Sequence, residues 1–209
     1  MKIKNIVFIL LLTFNFSVFA QQKMSQTEIS TFKTNLIEAN KKIKSLTADF
    51  VQYKHMDFLS KDIESSGNFY LSVTNELLWK YNKPEAMSIL FKNKKMHTKS
   101  NGKTSTVDLS KNKKFEQLNN FIVGSYTANF LNEKDFTISY FKDGATKIVK
   151  LTPKQKDLTK YIKSVELFFK SNEYILSEVK LIEPSDDYTK IIFKNKVENA
   201  KINPSVFSL

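Results

Sequence analysis

Cysteine is absent from the 209 residues. That excludes disulfides, thiolate metal sites and a cysteine nucleophile together, and it excludes lipid attachment to the chain through a cysteine. Arginine is absent too, so all 33 basic side chains are lysine. A nucleic-acid surface would call for guanidinium forks clustered with exposed aromatics; lysine spread along the whole chain argues against that partner. Only four glycines are present, none in a phosphate-cradling pattern, so nucleotide loops are excluded. The same scarcity bears on architecture, because small closed barrels rely on glycine kinks and bulges that a half-open sheet needs less.

What is present begins with Lys2 and Lys4, an apolar run over residues 6–14 and then Val18-Phe19-Ala20. This is the pattern of a secretory signal peptide, cleaved after Ala20. The run is interrupted by Asn15 and falls short of the roughly 20 apolar residues that a membrane-spanning helix needs. Residues 1–20 are therefore expected to be removed. Residues 21–209 are expected to form one domain in the periplasm. The formal charge is +12; without Lys2 and Lys4 it is 31 lysines against 21 acidic residues, or +10. A solvated basic surface and attraction to anionic lipid headgroups both remain open.

Residues 25–46 carry Ile29, Phe32, Leu36, Ala39 and Ile43 at three- and four-residue steps, predicting an amphipathic helix with Ser25 or Thr27 as its cap. From Thr47 the period becomes two. Strands are predicted over 47–58, 64–73, 76–81, 86–92, 95–100 and 104–109, with Asn101-Gly102 as the strongest hairpin signal. Between 113 and 131 apolar residues return to helical spacing, predicting one or two short helices. Strands resume over 135–141, 147–152, 162–169, 175–183 and 188–195, with turns at Asp143-Gly144 and Asn172-Glu173. Strand and helix do not alternate, so the sheet is antiparallel. The expected fold is mainly β with α: a single curved antiparallel sheet forming an unclosed half-barrel, covered by short helices.

Catalytic signatures are missing. His55 and His97 lie on separate predicted strands without metal-ligand spacing, which suits one satisfied or solvated histidine on each. No nucleophile elbow marks a hydrolase. Asp186-Asp187 follows Pro184 and precedes a β-branched strand, as in a turn. No enzyme activity, cofactor or metal is expected.

The chain is instead rich in apolar bulk, with 18 phenylalanines, 8 tyrosines and 5 methionines. A second sheet packed on the first would bury these side chains and leave no cavity. A single sheet wrapped around short helices would leave space between layers. Such a cavity suits acyl chains, which offer shape and hydrophobicity but no hydrogen bonds.

Four stretches resemble the bacterial outer-membrane lipoprotein carriers, the LolA family. Leu46-Thr47-Ala48-Asp49-Phe50-Val51-Gln52 is similar to that family's first strand. Ser66-Gly67-Asn68-Phe69, then Leu77-Leu78-Trp79-Lys80-Tyr81 and Pro84, are similar to its glycine strand and tryptophan hairpin. Asn101-Gly102-Lys103 fits its next turn. Thr189-Lys190-Ile191-Ile192-Phe193-Lys194-Asn195, with Asn199 and Phe207, fits its terminal strand. The resemblance implies an unclosed barrel of eleven strands with helices as a lid, and a periplasmic carrier without covalent chemistry. Its partners would be acylated lipoproteins, an inner-membrane lipoprotein-releasing transporter and an outer-membrane acceptor. A carrier of another amphiphile, a glycolipid or an acylated precursor, is the alternative on the same fold. A monomer is expected.

Carried over from the family as inward-facing are Phe50, Phe69, Leu71, Leu77, Trp79 and Tyr81. Met87, Ile89 and Met96 join them on strand parity, and Phe121, Ile122 and Tyr126 as lid candidates. Core packing and ligand contact are both open for each of the twelve. Two departures stand out. Many members carry an arginine after the glycine strand that helps hold the lid closed, where this chain has Ser72-Val73-Thr74; its lid is expected to be held by other contacts. The match also ends near Phe207, and the further strand and loop of some members are not expected. Regulators that detect lipoproteins share the fold, and they usually carry a second domain for which no room is expected here.

Overall fold

A computed structural model describes residues 21–72, 74, 76–111, 131, 133–171 and 173–209. Among these residues the chain opens with β1 (Gln22–Lys23) and the helix α1 (Gln26–Asn40). Six strands follow: β2 (Ser45–His55), β3 (Ile63–Ser72), β4 (Glu76–Lys83), β5 (Met87–Lys92), β6 (Lys95–Ser100) and β7 (Lys103–Asp108). The second run is β8 (Phe136–Asp143), β9 (Thr146–Pro153), the short helix α2 (Lys156–Thr159), β10 (Ser164–Phe169), β11 (Glu178–Ile182) and β12 (Tyr188–Glu198). A 3-10 turn, Pro204–Phe207, closes the chain. Of the expected helices over 113–131, residues 113–130, which include Phe121, Ile122 and Tyr126, lie outside the described residues, as do residues 1–20.

All twelve strands join one antiparallel sheet in the order β1-β8-β9-β10-β11-β12-β2-β3-β4-β5-β6-β7. The two runs are stitched together by β12 against β2, where Phe193 faces Phe50 and Ile191 faces Gln52. The sheet does not close, because β1 and β7 stand at its two ends. Local chemistry sets the turns. Asn101 and Gly102 both take positive φ, 49° and 73°, in the two-residue loop between Ser100 and Lys103, the backbone twist that a tight hairpin demands. Gly67 sits at a bulge in the β3–β4 pairing, and a Cβ there would run into the Lys80 carbonyl.

The sheet must curl. Adjacent strands lie about 4.8 Å apart, so β11 and β6, six neighbours apart in the order, would be ~29 Å apart in a flat sheet. Instead Leu181 of β11 and Met96 of β6 line the same cavity. The inner face carries a continuous core of Leu46, Phe50, Phe69, Leu77, Trp79, Leu151, Leu167, Val179 and Phe193. The helix α1 lies against the β8–β10 side of this face through Phe32 and Leu36; Phe32 meets Phe169 edge-on at 5.3 Å. Ser25 caps α1 in a capping box with Glu28. Glu28 also binds Lys142 of β8 at 2.6 Å, and these bonds draw its carboxyl down to about 2. On the outer face, Leu78 and Leu90 are covered by Phe207.

The single unclosed antiparallel sheet is thus as the sequence predicts, with strand limits shifted by a few residues. The elements not foreseen are short, among them β1, α2 and the 3-10 turn at Pro204–Phe207. A two-residue strand and a one-turn helix are too short to show periodicity. The predicted helix 25–46 stops at Asn40, and its last apolar residues, Ile43 and Leu46, are buried beyond its end. Among the described residues no helix is long and apolar enough to cross a membrane.

Candidate ligand cavity and its polar end

Alternation on β2 sends Leu46, Ala48 and Phe50 into the core, and the same parity carries Gln52 and Lys54 inward where the strand leaves it. On β11 the inward positions are Val179 and Leu181, followed by Glu183 just past the strand. Both strands pair antiparallel with β12, so they run parallel to each other and leave the core at the same end. Thr189 of β12 is the register partner of both Leu181 and Lys54. Lys54 and Glu183 therefore meet across it, with Nζ 2.7 Å from Oε1 and each side chain 24 % exposed.

These residues border a cavity of about 260 Å³. Its apolar wall is built by Trp79, Ile89, Phe91 and Met96 from β4–β6 and by Val179, Leu181 and Ile191 from β11 and β12. Gln52, Lys54, Glu183 and Thr189 form the polar part of the lining. Tyr81 bridges the two, since its ring packs on Phe50 at 5.0 Å and its hydroxyl donates to Gln52 Oε1 at 3.0 Å. Burial pushes the Tyr81 hydroxyl up to about 12, so it stays a neutral donor at physiological pH.

Of the residues singled out from sequence, Trp79, Tyr81, Ile89 and Met96 line the cavity. Phe50, Phe69, Leu71 and Leu77 are buried in the adjoining core and are not part of the lining. Met87 is half-buried beside Tyr81 in register, also off the lining. Phe91, Val179, Leu181 and Ile191 went unpredicted as wall residues, as did the four polar groups. The signal was there in β2, where the inward positions pass from Phe50 to Gln52 and Lys54. Without strand pairing, nothing tied Lys54 to Glu183.

Beside the polar end, the β2–β3 and β11–β12 turns are knitted together. The His55 ring stacks on Tyr188 at 4.8 Å and 11°, with Nδ1 2.8 Å from Asp62 Oδ1 and Nε2 3.5 Å from Asp57. Tyr188 donates to Asp62 at 3.3 Å, Lys180 lies over the Tyr188 ring at 4.1 Å, and the Asp57 N–H donates to Asp187 at 3.0 Å. The Asp62 hydrogen bond holds His55 above its usual range and holds Asp62 below its own. His97 sits apart, against the Thr106 hydroxyl at 2.9 Å. Among the described residues, no three His, Cys, Asp or Glu side chains converge as a metal site requires.

The family model for the outer membrane lipoprotein carrier protein LolA matches residues 41–209. The chain belongs to the LolA family. The LolA match begins one residue past α1 and takes in β2 to β12, which include every strand that lines the cavity. No curated protein matches the sequence. Among solved structures, an uncharacterized conserved protein from Thermus thermophilus superposes with a TM-score of 0.52 at 7% identity, covering 87% of this chain and 93% of that one. MucB and MucA from Pseudomonas aeruginosa, solved as a complex, give a match with a TM-score of 0.50 at 9% identity, covering 87% of this chain and 61% of that one. A putative outer membrane lipoprotein-sorting protein domain from Vibrio parahaemolyticus gives 0.49 at 9% identity, covering 87% and 95%. At such identities the first two show a likeness of fold alone.

Proposed function

We propose that residues 21–209 form a single-domain periplasmic carrier that takes lipoprotein acyl chains into the cavity and shuttles them from the inner to the outer membrane. The observation that carries this reading is the apolar wall shared by β4–β6 and β11–β12 inside a LolA-family sheet. Each methylene moved from water onto such a wall contributes up to about 0.8 kcal/mol. An acyl chain therefore gains useful affinity with no reaction and no cofactor. The sheet supplies the cradle, and its unclosed arrangement lets the ligand enter without unfolding a barrel.

In this reading residues 1–20 direct export and are cleaved after Ala20. The carrier then receives its cargo from an inner-membrane lipoprotein-releasing transporter and passes it to an acceptor at the outer membrane. Depleting the protein from its host and fractionating the envelope tests the role. Lipoproteins should accumulate in the inner membrane; an unchanged distribution would remove the shuttle role.

A further inference from the structure

We infer that the polar end of the cavity recognises the neutral carbonyl linkage of an acyl ligand, an ester or amide, and discriminates against a carboxylate head. This deepens the carrier reading and rests on it. The Lys54–Glu183 pair lies in the cavity lining, 2.7 Å across, with both side chains largely shielded from water. Glu183 is fixed by its turn: its N–H donates to the Asp187 carbonyl at 2.8 Å, and its own carbonyl accepts from the Asp186 N–H at 3.0 Å.

Two groups at this end supply hydrogen-bond donors. Lys54 carries three N–H donors, one of them directed to Glu183. Gln52 accepts from Tyr81 through Oε1, which leaves its amide NH2 in the donor role. A carbonyl oxygen at the head of an acyl chain can accept from either without disturbing the ion pair. A carboxylate cannot do so on equal terms. It would compete for Lys54 at a site already neutralised and would stand beside the like charge of Glu183, in a pair whose side chains are each only 24 % exposed. The net positive charge of the chain attracts anions at long range, so a preference for the neutral head must come from the local pair.

The test compares a monoacylglycerol with the fatty acid of the same chain length, both below their micelle concentrations and at a pH where the acid is ionised. Binding is read by competition against a fluorescent acyl probe on the intact mature protein. The wild type should bind the monoacylglycerol at least tenfold more tightly. Glu183→Gln removes the opposing charge and should shift the ratio at least tenfold toward the fatty acid. Should that variant melt at a lower temperature, the double variant Lys54→Met with Glu183→Leu removes both charges and should bind both ligands with the discrimination lost. A wild type that binds both equally, or prefers the acid, overturns the inference and leaves the carrier reading standing. Binding of neither ligand overturns both. A third probe, a triacylated cysteinyl peptide, carries the same carbonyls on a larger head. Tighter binding than the monoacylglycerol assigns the linkage to a lipoprotein and weaker binding to a neutral glyceride, and either order upholds a neutral carbonyl.

Discussion

The Trp79 and Phe50 rings meet edge-on, with centroids 4.8 Å apart and planes at 80°. Trp79 also packs on Phe69 at 4.9 Å and on Phe193 at 5.8 Å. One side chain is thus both the centre of an aromatic cluster and part of the cavity wall. Phe69 belongs to the cluster but not to the wall.

This difference separates two substitutions. Phe69→Ala should cost about 3–5 kcal/mol in urea unfolding and leave acyl affinity of the folded protein unchanged. Trp79→Ala should cost a similar amount and also weaken binding of an acyl probe. Unchanged affinity in folded Trp79→Ala would return that residue to the core alone.

Gly67 offers a test of the sheet itself. A Cβ there would fall on the Lys80 carbonyl oxygen and 2.8 Å from its carbon, and these are backbone atoms that cannot turn aside. Gly67→Ala should destabilise the protein by about 1–3 kcal/mol or more. Chemical denaturation measures it, and wild-type stability would show that the β3–β4 bulge is looser than described.

The His55–Asp62 contact should depend on pH in a defined direction. His55 is raised above its ordinary 6.5, so its contribution is fully present below 6.5 and is lost as pH rises through the higher folded value. Asp62 is lowered below 3.8, so its contribution is present above 3.8 and is lost as pH falls through the folded value. The knitted turns should therefore be tightest between 3.8 and 6.5, with Asp57, Asp187, Lys180 and Lys190 as charged neighbours. Proton NMR should show His55 titrating above 6.5, falling back in Asp62→Asn. A His55 value at or below 6.5 would contradict the contact.

Affinity should climb with acyl length. If the wall takes up methylenes from water, each one added should tighten binding by up to about 0.8 kcal/mol, roughly fourfold, until the cavity is filled. Calorimetry across a series of monoacylglycerols reads this slope. A flat series would mean that the chain stays outside the cavity.

The sheet was largely legible in the sequence because strands such as β2, β3 and β11 bury alternate residues, which imposes period two, and because Asn101-Gly102 admits little other than a tight turn. Cavity residues were harder to read. Phe50, Phe69 and Trp79 have the same inward parity, and only curvature decides that Trp79 reaches the cavity while Phe69 stays behind it. Residues contributed by β11 and β12 could not be assigned before β12 was known to pair with β2, a contact spanning over a hundred residues of sequence. The Lys54–Glu183 pair was hidden for the same reason.

The most direct test of an acyl-chain carrier is the identity of what it holds. The mature protein should be isolated from its native envelope without detergent, extracted with organic solvent and analysed by mass spectrometry. Acylated lipoprotein fragments should be recovered in amounts approaching that of the protein. A protein that yields no acylated species, and that takes up no acyl probe afterwards, would contradict the carrier reading.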